Sequence, residues 1–131
     1  MRILLDTHIA LWAIVDDKRL PSNARDLIAD MRNEIFVSVA SIWEITIKHG
    51  LSRSHANDMP VSGEDALGFF RKSGYHLLTI QAEHAVAVGS LPDLHKDPFD
   101  RMIVAQALAE PLRLITHDRV LGGYSDAILV V

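Results

Sequence analysis

Arg2-Ile3-Leu4-Leu5-Asp6-Thr7-His8-Ile9-Ala10-Leu11-Trp12 is the stretch that decides the fold class. Its unbroken apolar run, Ile3 to Leu5, reads as a short, fully buried strand that ends in an acid at Asp6. Thr7 and His8 then lead into an apolar helical segment, Ile9 to Val15, closed by Asp16-Asp17-Lys18-Arg19. A strand buried on two faces and followed at once by a helix is the opening of an α/β unit. An acid at the strand-to-helix turn stands where open α/β sheets place ligands, although a helix N-cap also accounts for Asp6.

The alternation continues along the chain. Pro21-Ser22 opens a helix to about Arg32, with Ala24, Leu27, Ile28 and Met31 as its apolar stripe. Ile35-Phe36-Val37 is a strand, and Ser38 caps a helix from Val39 to His49 with Gly50 in the C′ position. On that helix Val39, Ile42, Trp43, Thr46 and Ile47 form the expected core stripe. Glu44 falls on the opposite side with Ser41 and Lys48, where a solvated Glu–Lys pair at i,i+4 explains it. Leu51 to Ser62 is polar and reads as a mobile loop. A helix from Gly63 to Ser73 ends at Gly74, His76 to Ile80 is a strand, and Gln81 to Val88 is helical. After Pro111, Leu112 to Ile115 is an apolar strand running into Thr116-His117-Asp118, and a last strand spans Ala127 to Val131. The expected fold is one three-layer α/β/α domain over residues 1–131, with a central, mainly parallel sheet of four to five strands.

At 131 residues with 49% hydrophobic and 23% charged residues, the chain has the balance of one folded domain. It has no cysteine, which excludes disulfides, thiolate catalysis and zinc–thiolate sites. Only three apolar residues separate Arg2 from Asp6, too few for a signal-peptide core, and the longest apolar run is Ile9 to Val15. A cytoplasmic protein without a membrane span is the expectation. The formal charge of −4 is unusual for a nucleic-acid partner. Cations bound at an acid cluster would offset it.

The second informative stretch is His95-Lys96-Asp97-Pro98-Phe99-Asp100-Arg101-Met102-Ile103-Val104-Ala105-Gln106-Ala107. Asp97 is a natural N-cap and Pro98 suits the first helical position. The helix is apolar nearly all round, so it should be buried, and Asp100 with it. A carboxylate so placed must be paired, protonated or bound to a cation. Asp6 and Asp118 each close a strand and should share the sheet's carboxyl edge. Asp100, and less firmly Glu44, can join them. Four carboxylates in one cleft repel unless cations neutralise them, and oxygen-only donors suit Mg²⁺ or Mn²⁺. Such a centre can activate water against a phosphodiester. No P-loop, GxGxxG or GxSxG pattern competes.

Leu5-Asp6-Thr7-His8, Ser41-Ile42-Trp43-Glu44-Ile45, Asp97-Pro98-Phe99-Asp100-Arg101 and Thr116-His117-Asp118 resemble the four acidic motifs of PIN-domain ribonucleases. In length, order and spacing the chain is most similar to VapC-like toxins of bacterial toxin–antitoxin pairs. The resemblance implies metal-dependent cleavage of RNA, a homodimer and a protein antitoxin. It implies that Asp6, Asp100 and Asp118 hold the cation, with Glu44 reaching it directly or through water. It also implies that Thr116 stands beside the site, within reach of a carboxylate or a phosphate. The alternatives are a nuclease of the same fold acting in RNA maturation or on DNA, and a non-catalytic module that holds RNA or a protein.

Three groups of residues stay open at this level. Asp97, three residues before Asp100, can be a ligand or only a cap. Arg101 can pair with an acid, touch a phosphate or form a surface ion pair. The histidines at 8, 49, 55, 76, 84, 95 and 117 lack HxH and HxxxH spacing and read as surface or loop residues. His8 and His117 follow site motifs directly. Trp12 and Trp43 read as core, with an exposed edge of either available to a partner.

Overall fold

The computed structural model describes residues 1–51 and 59–131. Positions 52–58 of the loop expected between Leu51 and Ser62 lie outside the described residues. The elements are β1 (Arg2–Leu5), α1 (Thr7–Ile14), α2 (Ser22–Ala29), β2 (Glu34–Ser38), α3 (Val39–Leu51) and α4 (Gly63–Lys72). They are followed by β3 (His76–Leu78), α5 (Ala82–Ala87), α6 (Pro98–Ala109), β4 (Arg113–Thr116) and β5 (Leu129–Val130). Short 3₁₀ turns cover Val88–Ser90 and Leu121–Tyr124.

All five strands pair in parallel, in the order β3-β2-β1-β4-β5. The expected three-layer α/β/α architecture is the one observed. Alternation along the strands explains the layers. Ile3, Leu5, Ile35, Val37 and Ile115 point into a core shared with Ile9 and Leu11 of α1, Ala24 of α2 and Phe70 of α4. Leu4 and Leu114 point the other way, into a core shared with Ile103, Val104 and Ala107 of α6. Burial on two faces is why these strands carry unbroken apolar runs.

The strand order reverses between β1 and β4. β2 and β3 lie on one side of β1, and β4 and β5 on the other. Connections leaving β1 and β4 therefore diverge, and a crevice opens at their carboxyl ends. The register brings these ends level, with Leu5 opposite Ile115 and the Asp6 N–H donating to the Ile115 carbonyl at 3.0 Å. Asp6 and the segment after Thr116 emerge side by side at that point.

The structure corrects several boundaries and faces. Gly50 does not stop its helix, which continues to Leu51. The second helix ends at Ala29, so Met31 lies beyond it and is 98% exposed instead of completing a stripe. β3 stops at Leu78, short of Thr79 and Ile80. The helix expected from Gln81 to Val88 spans Ala82–Ala87, with Gln81 as its N-cap. Gly74 does end α4 one turn past Phe70, at φ 79°, a backbone conformation that costs glycine least.

Gly63, the first residue of α4, lies against α3 so closely that a Cβ there would overlap Thr46 Oγ1. Gly63→Ala should therefore lower stability by roughly 1–3 kcal/mol, as overpacking does, read as a drop in thermal midpoint. Adding Thr46→Ala should restore most of the loss. An unchanged midpoint in the single variant would show that the two helices slide apart freely.

Candidate metal centre

Asp6 follows β1 and is the N-cap of α1. Its Oδ1 accepts the Thr7 N–H at 2.8 Å, and its Oδ2 accepts the Thr116 hydroxyl at 2.7 Å. Thr116 ends β4, and its Oγ1 also accepts the Asp118 N–H at 3.0 Å. One buried hydroxyl thus couples the two acids at the ends of neighbouring strands. Asp118 is further fixed by its Oδ1, which accepts the Val120 N–H at 2.9 Å. Burial pushes the Asp6 carboxyl up, while the hydrogen bonds from Thr116 and Thr7 pull it down; burial prevails.

Glu44 comes from α3, whose orientation is opposite to the one its apolar pattern predicts. Glu44 is 2% exposed, and Ser41 and Ile45 are fully buried. Trp43 is 58% exposed, and Val39 and Ile47 are also exposed. The cause is what α3 covers. It lies across the carboxyl edge of the sheet, where strand ends and buried acids need polar partners, so its polar face turns inward. Thr7 Oγ1 donates to Ser41 Oγ at 2.9 Å, tying the start of α1 to this face. Outside, the Trp43 ring meets Phe99 edge-on with centroids 5.1 Å apart.

Lys48 Nζ donates to Glu44 Oε2 at 2.5 Å, so the i,i+4 pair exists, but it lines the cleft instead of solvent. Burial works against the Lys48 charge, yet Glu44, Asp97 and Asp100 hold its ammonium above the ordinary value. The second oxygen, Glu44 Oε1, is buried and has no hydrogen-bond partner among the described residues. An unpartnered carboxylate oxygen in such a place is costly.

Asp97 caps α6, its Oδ1 accepting the Phe99 N–H at 2.8 Å and the Asp100 N–H at 3.2 Å. Asp100 stands in the first turn of α6, and most of that helix beyond it is buried, as its sequence requires. Burial first, then the charges of Asp6, Asp97, Glu44 and Asp118, push the Asp100 carboxyl up to about 8. Asp6, Glu44, Asp97, Asp100 and Asp118 line one cleft together with Lys48, His8, Trp12 and His117.

His95 also belongs here, although the spacing of the histidines did not single it out. Its Nε2 lies 3.0 Å from Asp118 Oδ2 and 3.4 Å from Asp100 Oδ2. Its Nδ1 accepts the Asp97 N–H at 3.0 Å, so the neutral ring carries its proton on Nε2 and donates it to Asp118. The ligand atoms of His95, Asp100 and Asp118 lie within 4.8 Å of one another, close enough for one cation.

Arg101 makes its hydrogen bonds to a loop and to Tyr124, and not to an acid, among the described residues. Its guanidinium donates to the carbonyls of Val88, Pro92 and His95 and to the Tyr124 hydroxyl, at 3.0–3.3 Å. Tyr124 in turn accepts the His95 N–H at 2.8 Å. Arg101 therefore holds the loop that carries His95. His84, expected at the surface, is buried, with Nε2 2.7 Å from Glu110 Oε2 and Nδ1 accepting the Gln81 N–H at 3.0 Å. His55 lies outside the described residues.

A crowd of oxygen donors, with one buried oxygen unpartnered, fits a hard divalent cation. Comparison with known proteins supports the same class. The PIN domain profile matches residues 3–125, and the chain belongs to that family. Ribonuclease VapC22 from Mycobacterium tuberculosis is 29% identical over 125 residues, covering 93% of this chain and 91% of that one. Two solved structures share the fold. VapBC2 from Rickettsia felis, bound to a DNA fragment from its promoter, superposes with a TM-score of 0.68 at 18% identity, covering 100% of this chain and 98% of that one. DNA-bound VapBC from Salmonella typhimurium superposes at 0.66 and 19% identity, covering 100% and 97%.

The raised Asp100 value carries a stability consequence of definite sign. The unfolded carboxyl titrates near 3.8 and the folded one near 8, so between those values the folded state holds the extra proton. This group's contribution to stability therefore falls as pH rises through that window. Without divalent ions, Asp100→Asn should flatten the fall and raise the thermal midpoint at about pH 8 by roughly 5 °C. Mg²⁺ or Mn²⁺ should raise the wild-type midpoint more at that pH than at pH 5. A variant with the wild-type profile would show that Asp100 is not in a repulsive cluster.

Proposed function

We propose that this protein is a divalent-cation-dependent endoribonuclease and the toxin of a toxin–antitoxin pair, acting in the cytoplasm as a homodimer. The observation that carries the reading is the convergence of Asp6, Glu44, Asp100 and Asp118 on one cleft, with Glu44 Oε1 buried and unpartnered. Asp6, Asp100 and Asp118 would hold Mg²⁺ or Mn²⁺, with Glu44 Oε1 as a further donor to the ion or to its water. Bound there, the cation would supply an activated water and offset charge on the phosphate of an RNA strand.

The remaining chemistry belongs to the chain. Thr116 and the Thr7 N–H keep Asp6 pointed into the cleft. His95 donates to Asp118 from the side of Asp100, and Arg101 and Tyr124 keep it there. Asp97 acts through the cap that orders the first turn of α6. Lys48 pairs with Glu44 Oε2 and brings a positive charge to the cleft. No helix among the described residues is long and apolar enough to cross a membrane.

A protein antitoxin is part of the proposal. The VapBC structures that share the fold are toxin–antitoxin complexes, and α3 presents Val39, Trp43 and Ile47 outward with Phe99 packed beside Trp43. An exposed apolar surface of this kind suits a protein partner.

Purified protein should cut a mixed RNA pool with Mg²⁺ or Mn²⁺, and EDTA should stop it. Asp100→Asn and Asp6→Asn should each lower the rate by at least about a hundredfold while keeping the fold, checked by circular dichroism. Cutting retained in Asp100→Asn but lost in Asp97→Asn would move the ligand role to Asp97. Cutting that survives EDTA would overturn the cation-dependent reading.

A further inference from the structure

Three aromatic rings stand on one wall of the same cleft and take no part in the acid chemistry. His8 lies in the first turn of α1 and Trp12 one turn later, so their side chains share a face. Their ring centroids are 6.0 Å apart with planes at 55°. His117, between β4 and Asp118, meets Trp12 at 5.6 Å and 69°. All three line the cleft that holds the acids.

The three rings differ in exposure. Trp12 is only 7% exposed, whereas His8 and His117 are exposed. The indole is therefore a backing, and the imidazoles are the accessible surface. That backing is rigid. The Arg19 guanidinium lies over the Trp12 ring at 5.3 Å and is itself held by Asp17, Nη2 to Oδ2 at 2.8 Å. His117 is fixed by a 2.7 Å contact from Nδ1 to the Val131 carbonyl oxygen. Both imidazoles remain exposed beside the buried indole.

We propose that His8 and His117, backed by Trp12, form a stacking site for one nucleobase of a single-stranded RNA, beside the phosphate that the acids address. This rests on the nuclease reading above and assigns the part of the site that holds the base. The charge balance favours a base over a second phosphate. The wall faces five carboxylates, which repel an anion not covered by a cation, whereas a base is neutral and has a π-face. Position favours it too. His8 is two residues from Asp6 and His117 is next to Asp118, so a base on this wall belongs to a nucleotide at the cleaved bond or adjoining it.

The test uses the full chain carrying Asp100→Asn, so that RNA survives, and a fluorescein-labelled random-sequence RNA dodecamer. An abasic ribose-phosphate strand of the same length serves as the second probe. His8→Ala and His117→Ala should each weaken dodecamer binding by roughly fivefold to a hundredfold, the range of one lost base stack. His8→Phe and His117→Phe should bind like the parent. The abasic strand should bind weakly and equally to all. Parent-like affinity in the alanine variants would overturn the stacking site. An equal loss with the abasic strand would also overturn it, because the imidazoles would then be touching phosphate. Cation-dependent cutting by the protein with native Asp100 tests the nuclease reading separately. Cutting with unchanged affinities sinks the stacking site alone; no cutting by the protein with native Asp100, together with no RNA binding by the Asp100→Asn parent, sinks both.

Discussion

The hydroxyl of Thr116 is the contact on which the site's geometry depends. It donates to Asp6 and accepts from the Asp118 N–H, so it spans the crevice between β1 and β4 where the strand order reverses. A buried carboxylate with one hydrogen bond would tend to protonate or turn to solvent. Asp6 has two, from a backbone N–H and from this hydroxyl, and each donor is itself immobile. A β-branched residue with a hydroxyl meets both demands of the position, since it suits the end of a strand and supplies the polar bridge. The sheet thus contributes more than a platform. Its register sets the distance between two acids to within the reach of one side chain.

A second constraint follows from what lies over that crevice. Any helix covering the carboxyl edge must meet acids and strand-end polar groups, so its inner face cannot be apolar. α3 answers with Ser41 and Glu44 inward and leaves Val39, Trp43 and Ile47 outside. This inversion puts the proposed metal-binding face and the proposed partner face on one element. The same turn of helix that presents Glu44 to the cleft presents Trp43 to whatever lies beyond it.

These two features explain what was legible in the sequence. β1 and β4 were readable because strands buried on two faces show as apolar runs, and the acids at their ends fell where such strands place ligands. Asp97 was readable as a cap from Pro98 alone. The face of α3 was misread because the periodicity argument takes the buried face to be the apolar one, and that premise fails over a polar site. The resemblance of Ser41-Ile42-Trp43-Glu44-Ile45 to an acidic motif put Glu44 in the cleft where the pattern did not. His95 was missed because it lies in an irregular loop with no period to place it. A weak signal existed. A residue two before an N-cap can accept the cap's own N–H, and His95 Nδ1 does so, which turns its other nitrogen toward the acids. The hydrogen-bond partners of Arg101 were not legible for a related reason, since they are carbonyls of that same loop.

Magnitudes decide how the acid cluster is held. A carboxylate near the N-terminus of a helix is favoured by about 0.3–1 kcal/mol, and Asp100 sits in the first turn of α6. The rise of its carboxyl from 3.8 to about 8 is a several-fold larger effect in the opposite direction. The dipole therefore loses to burial and like charges by a wide margin. Lys48 offsets one of the five acids that line the cleft, and His95 Nε2 lies against Asp118. Four negative charges remain, and protonating Asp100 removes only one. A single divalent ion would offset two and give the buried Glu44 oxygen a partner at the same time. In this fold the repulsion within the bare cluster is what a bound cation would relieve.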